Sequence, residues 1–313
     1  MEKPSKELFE KIVKIAQNRG FIFNASSIYG GLRSSYDYGP LGTLLKNNIS
    51  NLWWKSLKTS EVKIYPVDTA IIQSSEVWKA SGHLSEFSDP MVECKSCNSR
   101  FRSDSEPEDL CCESQDLTEP KNFNLMFETN IGPVQNENSK VFLRPETAQG
   151  IFVNFENVLR TMRAKLPFGI ANIGKSFRNE ITPGQFVFRT REFEQMEIEF
   201  FCKEEESEKW MQYWTQKRFD WYKELGLKEN LLRLRPHEAD ELAHYAEATT
   251  DIEYLYPWGW GELEGIANRG NYDLTAHQEK SGKDLTYFDP KDNSKYLPSV
   301  IEPAGGLTRT VFA

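Results

Sequence analysis

The sequence predicts an α+β protein in which helices alternate with strand-rich blocks. Apolar residues recur with helical spacing over residues 41–57 and 147–164, and the second stripe stops before Pro167. A turn at Thr182-Pro183-Gly184 makes the blocks on either side of it a candidate hairpin. The blocks rich in aromatic and β-branched residues, which predict strands, are residues 168–177, 186–201, 250–256 and 261–267. A further helix is predicted over residues 204–225, and its tryptophans are expected to pack in the core: Trp210, Trp214 and Trp221.

Bulk composition predicts a folded protein without a membrane span. The 313 residues are 39% hydrophobic and 13% aromatic, enough to bury the core of one large or two modest domains. No run of eighteen apolar residues occurs. Residues 1–20 form a charged amphipathic pattern that is not typical of a signal peptide, with Leu8, Ile12, Val13 and Ala16 on one face. The net charge of −9 neither indicates nor excludes a nucleic-acid partner.

The cysteines indicate a reducing compartment and a candidate zinc site. Four of the five cysteines crowd into residues 90–121, which differ in composition from their surroundings and predict an inserted subdomain. Without a secretory signal this is not a disulfide framework, so a cytoplasmic location is expected. Cys94 and Cys97 have zinc-knuckle spacing, and Cys111 or Cys112 could add ligands. Because a second CxxC is absent, the alternative is a degenerate ribbon with free thiols.

One segment matches a phosphate-loop pattern but has the wrong context. Residues 169–176 read GIANIGKS, which fits GxxxxGK[ST]. Pro183 and Gly184 would break any helix that begins at Lys175, and no strand ending in a magnesium-binding Asp is evident. The segment is therefore predicted to be a strand, with a phosphate-loop NTPase as an alternative.

The candidate hairpin carries residues that suit a nucleotide. Arg178 and Glu180 are two positions apart and are expected to project from one face of a strand, and Arg189, Arg191 and Phe193 are expected to share a face across the turn. A cation suits a phosphate, a carboxylate accepts from the adenine amine, and an aromatic ring stacks on the base. The alternative is an ion-pair ladder on the protein surface.

The hairpin also carries a family resemblance. Phe177-Arg-Asn-Glu180 and Phe188-Arg-Thr-Arg-Glu-Phe193 resemble motif 2 of class II aminoacyl-tRNA synthetases. Residues 31–42 resemble motif 1 of the glycine subgroup, and residues 303–309 are similar to motif 3. Further segments that match this subgroup are residues 79–83, 144–150, 191–197 and 260–265. The resemblance covers nearly the whole chain.

The resemblance implies a fold and a reaction. The implied fold is an antiparallel sheet of about six strands flanked by helices, with residues 1–313 as the catalytic domain and motif 1 as a homodimer interface. An anticodon-binding domain normally follows, and it is expected to be absent because the sequence stops four residues after Arg309. The implied reaction joins glycine to ATP with Mg²⁺ and transfers it to the acceptor end of tRNA(Gly).

The resemblance also assigns an ATP site. Arg178 is expected to contact the α-phosphate and Arg309 the γ-phosphate, as the two catalytic residues, while Phe193 stacks on adenine and Glu180 holds its amino edge. Glu262 matches a position at the ATP site and is a candidate Mg²⁺ ligand. The other residues that match ATP-site positions are Asn179, Phe188, Arg189, Thr190, Arg191, Glu192, Leu263, Gly306, Leu307 and Thr308.

A glycine site follows in the same way. Glycine has no side chain, so recognition relies on its ammonium group and on a pocket too small for a methyl group. The charged residues that match glycine-site positions are Glu146, Glu197, Glu302 and, near the substrate, Arg102. The other matching residues are Phe193, Glu194, Gln195, Met196, Pro303, Ala304, Gly305 and Gly306. Ala304 replaces the usual serine, which leaves one expected hydrogen bond to glycine without its donor, and Gly305 replaces a commonly bulkier residue.

A second class of function stays open at this point. Non-catalytic relatives of the class II fold bind nucleic acid and lose their site residues. Retention of Arg178, Glu180, Phe193 and Arg309 favours an enzyme. Exchange of pyrophosphate into ATP that depends on glycine would distinguish the two.

Overall fold

A computed structural model describes residues 5–58, 61–103, 112, 116–134, 136, 139–181 and 183–313. The helices in these ranges are α1 (Lys6–Asn18), α2 (Pro40–Lys58), α3 (Ser75–Ala80), α4 (His83–Glu86), α5 (Ala148–Phe152), α6 (Phe155–Met162), α7 (Ser207–Leu225), α8 (Tyr272–Ser281) and α9 (Leu307–Phe312). The strands before α5 are β1 (Ile22–Asn24), β2 (Tyr36–Tyr38), β3 (Lys63–Pro66), β4 (Ile72–Ser74), β5 (Ser88–Glu93), β6 (Arg100–Arg102), β7 (Lys121–Asn124), β8 (Phe127–Asn130) and β9 (Lys140–Leu143). The strands after α6 are β10 (Phe168–Phe177), β11 (Glu192–Cys202), β12 (Leu232–Pro236), β13 (Ala248–Tyr256), β14 (Gly259–Gly270), β15 (Tyr287–Asp289), β16 (Ser294–Tyr296) and β17 (Ser299–Gly306). Among the described helices, none has the length and apolarity that crossing a bilayer requires.

A seven-stranded sheet in the order β12-β13-β14-β17-β11-β10-β3 forms the centre of the described fold. Its neighbours pair antiparallel except for β10 and β3, which are parallel. This confirms the predicted antiparallel sheet flanked by helices. The longest hairpin joins β10 to β11, from the pair Phe168 and Phe201 to the pair Phe177 and Glu192.

Side-chain alternation along β11 separates a hydrophobic layer from a polar face. Met196, Ile198 and Phe200 point into the core beneath α2 and α7, whereas Glu197 and Glu199 belong to the opposite face. The tryptophans of α7 all pack in that core layer, as the sequence predicts: Trp210, Trp214 and Trp221. A second cluster, which includes residues of α5, α6 and α8, covers part of the other face. The polar face lies beside it.

The predicted helix over residues 147–164 is interrupted. It divides into α5 and α6 at Val153 and Asn154, where the Asn154 side-chain amide donates to the Gly150 carbonyl at 2.9 Å. The break lets Phe152 and Phe155 both reach full burial, with the Phe155 ring 4.6 Å from that of Phe201. Packing against the sheet thus outweighs helical continuity.

The predicted strand over residues 186–201 begins only at Glu192. Phe186–Phe188 forms a 3₁₀ turn, because Phe186 and Val187 bury their side chains in a cluster with Ile22. Arg178 and Glu180 follow the end of β10, so the expectation that they share a strand face is wrong. The same holds for Arg189 and Arg191, which precede β11. Pro183 and Gly184 lie in this connection, and Thr182 lies outside the described residues.

The phosphate-loop match lies in a regular strand. Residues 169–176 pair with β11 along their whole length and with β3 over residues 169–171, and Lys175 forms an ion pair with Glu192 across the hairpin. A phosphate loop needs free amides that wrap an anion, whereas this segment is a regular strand of the central sheet. The predicted strand is confirmed.

The cysteine segment contributes a small separate sheet. Strands β5, β6 and β7 form it in the order β6-β5-β7, and a cluster of Val92, Cys94 and Phe101 lies against it. Cys111 and residues 104–110 lie outside the described part of the chain. The ends of this sheet meet, since the Leu125 amide donates to the Phe87 carbonyl at 3.1 Å.

Candidate active site

A cleft at the end of the β10–β11 hairpin collects most of the residues expected at the ATP site. Its walls come from the connection between these strands, from β14 and β17, and from the start of α9. The lining residues are Arg178, Glu180, Phe188, Arg189, Thr190, Phe193, Glu194, Gln195, Glu262, Ala304, Gly305, Gly306, Thr308 and Arg309. Residues more than a hundred positions apart in the chain therefore meet in one concave site.

Arg178 stands at one side of the cleft between two aromatic rings. Its guanidinium carbon is 5.3 Å from the ring centroids of both Phe87 and Phe193. Its amide donates to the Arg191 carbonyl at 2.9 Å and its Nε to the Pro145 carbonyl at 3.0 Å. Two backbone anchors and two rings thus fix the guanidinium, whose terminal nitrogens suit an anion.

Arg309 occupies the opposite side, in the first turn of α9. Its Nη1 lies 3.1 Å from both the carbonyl and the Oε2 of Glu262, and its guanidinium carbon is 4.5 Å from the Phe188 ring centroid. Burial opposes ionisation of Glu262, but the charge of Arg309 outweighs it and lowers the pKa of this carboxyl. The Glu262 side chain is 45% exposed, so an ionised carboxylate is accessible at the cleft.

A pocket of buried carboxyl groups is defined here by Glu146, Glu197 and Glu302 on the polar face of the sheet, and Glu197 lies opposite the cleft residue Ala304. Glu146, Glu197 and Glu302 are each less than 10% exposed. Thr147 donates its hydroxyl to Glu197, and the Arg269 Nη1 donates to both oxygens of Glu302 at 2.9 and 3.0 Å. These are the three acids that the resemblance assigns to glycine.

Glu146 has its own set of partners. The His83 Nε2 lies 3.3 Å from its Oε2, and the Gln149 amide donates to its Oε1 at 3.1 Å. Burial opposes ionisation, but the charges of His83 and Arg269 outweigh it and hold the pKa of Glu146 well below its usual range. This carboxylate is therefore ionised at neutral pH.

The other two acids have raised pKa values. Burial raises the pKa of Glu302 to about 6, with Arg269 opposing the shift. Burial, followed by the negative charges of Glu302 and Glu146, raises the pKa of Glu197 well above its usual range. A pocket that holds so many acids in so little space favours a bound cation, which would lower all of these values.

Sequence reasoning missed the residues that support this pocket. Arg269 donates to Asp273 through Nε at 2.7 Å and Nη2 at 2.8 Å, and its guanidinium carbon is 3.7 Å from the Tyr245 ring centroid. The Gln149 amide also reaches Asp273, at 2.9 Å. One sequence feature could have indicated Arg269. It is the single charged residue after Glu264 on β14, at the end of an otherwise uncharged run.

Several expected site residues lie outside the cleft lining. Met196, Leu263 and Leu307 are fully buried in the core beneath α7, so their side chains face away from the cleft. Pro303 lies one position from Glu302 along β17 and is buried too. The remaining ones have partners elsewhere, namely Asn179 with the Leu125 carbonyl, Arg191 with the Arg33 and Glu180 carbonyls, Glu192 with Lys175, and Arg102 with Asp89.

The two departures from the family pattern have different surroundings. Ala304 lines the cleft. A Cβ atom at Gly305 would lie 2.9 Å from the Glu264 Oε2 and 3.2 Å from the Tyr222 hydroxyl, on the α7 side of the sheet. Glycine at position 305 therefore makes room for a buried pair, in which Arg218 donates to Glu264 at 2.7 Å.

Comparison with known proteins agrees with this geometry. The family model for the tRNA synthetase class II core domain (G, H, P, S and T) matches residues 127–312. Among solved structures, the Giardia lamblia prolyl-tRNA synthetase in complex with prolyl-adenylate superposes with a TM-score of 0.72 at 15% identity, over 99% of this chain and 52% of that one. That similarity shows the fold.

Relatives of higher sequence identity identify one family within the class II synthetases. The glycine–tRNA ligase of Caldanaerobacter subterraneus subsp. tengcongensis is 52% identical, over 99% of this chain and 74% of the relative. Those of Geobacillus kaustophilus and Lysinibacillus sphaericus are 51% and 50% identical, each over 97% of this chain, and over 73% and 72% of the relatives. With Arg178 and Arg309 on opposite sides of one cleft and the buried carboxyl groups beside it on a class II core, the chain belongs to the glycine–tRNA ligase family.

Proposed function

We propose that this chain activates glycine with ATP and transfers it to the acceptor end of tRNA(Gly). The observation that carries the proposal is the continuity of two sites of opposite charge. Arg178 and Arg309 line a cleft suited to phosphates, and the buried acids Glu146, Glu197 and Glu302 lie on the polar face of the sheet, where Glu197 is opposite the cleft residue Ala304. Activation requires an anionic nucleotide and an ammonium-bearing amino acid to meet at one phosphorus atom.

ATP binds along the cleft between the two arginines. Phe193 stacks on adenine, Glu180 accepts from its amino group, Arg178 contacts the α-phosphate and Arg309 the γ-phosphate. Glu262 suits Mg²⁺, because it offers a partly exposed, ionised carboxylate beside Arg309. When bound, Mg²⁺ supplies positive charge to the departing phosphates.

Glycine binds with its ammonium group among the buried acids. Its carboxylate oxygen then attacks the α-phosphorus, and pyrophosphate leaves. Arg178 neutralises charge that develops on the α-phosphate oxygens, so catalysis rests on positioning and electrostatics. Ala304 and Gly306, which line the cleft, present no large side chain to glycine, and Ala304 lies opposite Glu197.

Pyrophosphate exchange tests this proposal. We expect the chain to incorporate labelled pyrophosphate into ATP when glycine is present, with far lower incorporation with alanine or without an amino acid. A parallel assay measures transfer of labelled glycine to tRNA(Gly). ATP hydrolysis that is independent of glycine, with no exchange, would contradict the proposal and favour another nucleotide-dependent reaction.

We also propose that the cysteine sheet binds zinc in its reduced form. The sulfur atoms of Cys94, Cys97 and Cys112 lie within 4.8 Å of one another, close enough for one tetrahedral ion. Backbone amides of Cys97 and Ser96 donate to the Cys94 sulfur and lower its pKa, which favours the metal-binding thiolate. Cys97 is disulfide-bonded in the structure, so binding requires reduction of that bond.

Elemental analysis tests the zinc proposal. Protein purified with a thiol reductant and without chelator is expected to carry stoichiometric zinc. A Cys94→Ser variant serves as the matched control and is expected to carry none. Zinc-free wild-type protein under reducing conditions would leave the degenerate ribbon with free thiols as the interpretation.

A homodimer and a cytoplasmic location complete the proposal. Large apolar side chains are strongly exposed between residues 28 and 44, namely Ile28 (86%), Tyr29 (87%), Leu32 (63%), Leu41 (45%) and Leu44 (60%). Several large apolar side chains exposed within one short segment favour a protein interface there. The segment overlaps the motif that resembles a dimer interface. The free thiols of Cys94 and Cys202 are compatible with a reducing compartment, in which the Cys97 disulfide would be reduced.

A further inference from the structure

One acid on the polar face of the sheet has no role in the reaction described above. Glu199 follows Glu197 on the same face of β11 and is fully buried. Within the described part of the chain, neither of its carboxyl oxygens has a hydrogen-bond partner. A fully buried carboxylate without a donor is costly, so the group requires an explanation.

The sheet register places Glu199 against a second acid. The pairs Phe200 with Ile301 and Glu197 with Ala304 put Glu199 directly opposite Glu302 on β17. Oxygens of Glu197, Glu199 and Glu302 lie within 4.8 Å of one another. Two like charges directly opposite on adjacent strands destabilise a sheet, and they do so most strongly in a buried site.

The surrounding groups decide which of the facing acids is neutral. Glu302 receives two hydrogen bonds from Arg269, which favours its ionised form. Glu197 receives the Thr147 hydroxyl. The positive charge of Arg269 favours ionisation of Glu199, but this guanidinium donates its hydrogen bonds to Glu302 and Asp273 and none to Glu199. Burial, followed by the charge of Glu302, raises the pKa of Glu199 well above its usual range, in agreement with this geometry.

We infer that Glu199 is a protonated carboxylic acid that positions the Glu302 carboxylate for the ammonium group of glycine. The inference rests on the proposed function for the identity of the cation. As a neutral acid, Glu199 presents a hydroxyl donor to Glu302 instead of a second negative charge. Glu302 therefore stays on Arg269, and its free lone pairs face the pocket.

Two substitutions separate the neutral acid from an ionised one. Glu199→Gln keeps the shape, the neutrality and a donor, whereas Glu199→Met keeps the volume and loses the donor. In glycine-dependent exchange we expect Glu199→Met to raise KM for glycine about tenfold, with a smaller change in kcat. A tenfold rise is about what the loss of one hydrogen bond to a charged group produces. We expect Glu199→Gln to restore most of that loss. A matched Glu197→Gln variant, which replaces a carboxyl group proposed to contact glycine, is expected to raise KM by more than Glu199→Gln does.

Infrared difference spectroscopy provides a readout that does not depend on activity. A carbonyl band of protonated carboxyl groups is expected in the wild-type protein at neutral pH, and Glu199→Gln is expected to remove the part of its intensity that Glu199 contributes. Three results would each overturn the inference. The first is an equal loss of glycine affinity in the Gln and Met variants, and the second is an unchanged carboxyl band in Glu199→Gln. The third is failure of that isosteric variant to fold. Absence of glycine-dependent exchange in the wild type would instead refute the proposed function, and the infrared comparison would still test Glu199.

Discussion

Arg178 and Arg309 are single side chains with separate supports. Arg178 is held by two backbone anchors and two rings, and Arg309 by Glu262 and Phe188. Both supports come from the protein's own backbone and side chains, so the guanidinium groups are preorganised for phosphate charge. Preorganised donors of this kind account for a large share of catalysis in many enzymes.

Removal of either guanidinium is expected to abolish adenylate formation without unfolding the chain. Arg178→Ala and Arg309→Ala should each lower glycine-dependent exchange by about a hundredfold or more, the loss typical of one such donor. Arg160→Ala, at an exposed position of α6, is the matched control. Near-normal exchange in either cleft variant, at an unchanged melting temperature, would remove the role assigned to that arginine.

The pKa of Asp251 predicts a pH dependence of stability. Burial, followed by the charge of Glu262, raises its pKa from 3.8 to about 6, while His237 and Arg235 oppose the shift. The folded state therefore binds the proton more tightly than the unfolded chain, so stability falls as pH rises from 3.8 to about 6 and stays lower above it. At about 1.4 kcal/mol per pKa unit, the cost approaches about 3 kcal/mol.

Asp251→Asn removes that cost. The melting temperature of the variant relative to the wild type is expected to rise between about pH 4 and about pH 7, measured by thermal unfolding in matched buffers. Asp240→Asn, at an exposed position, should show no such trend. A constant difference across this range would contradict the raised pKa.

Many single residues of the site could be predicted from the sequence, because motifs specify residue types. Arg178, Phe193 and Arg309 were named from the sequence and line one cleft. Arg269 and Glu199 were not. Their importance comes from burial and from cross-strand neighbours on β17, which no local pattern contains.

At the scale of elements, periodic segments were predictable and irregular ones were not. Strand β10 and helix α2 follow their predicted ranges to within a residue. The connection from Arg178 to Arg191 was predicted partly as strand, because its aromatic residues suit one. Its conformation is instead set by Phe186 and Val187, which reach a cluster formed by distant residues. Tertiary packing of this kind overrides local preference.

Helix α2 offers a test of such tertiary constraint. A Cβ atom at Gly42 would lie 1.9 Å from the Phe21 carbonyl oxygen, which is backbone and cannot rotate away. Gly42→Ala should therefore lower the free energy of unfolding by about 1–3 kcal/mol, the usual cost of overpacking. Gly184→Ala, with nothing within 4 Å of the added atom, is the control. Helix propensity alone would raise stability by about 1 kcal/mol, and that result would show that the contact is not limiting.

At the scale of the whole molecule, the apolar surface between residues 28 and 44 predicts the oligomeric state. We expect a dimer in sedimentation experiments, and we expect Leu44→Glu to weaken it by at least about tenfold in Kd, because a buried unpaired charge is costly. Met162→Glu changes another exposed apolar residue, on α6, and should leave the dimer intact. A wild-type protein that is monomeric at all accessible concentrations would contradict the proposed interface.

The backbone hydrogen bond between the two ends of the cysteine sheet has a consequence for engineering. Because Phe87 and Leu125 are already joined by a backbone hydrogen bond, a two-residue turn could connect them and replace everything between. Phe87 would keep its ring on Arg178, and the Leu125 carbonyl would still accept from Asn179. Excision would also remove Asn124, whose side-chain amide donates to the His83 and Leu84 carbonyls and whose side-chain oxygen accepts from the Met126 amide, so the replacement turn has to supply these contacts to keep the flanking backbone in place.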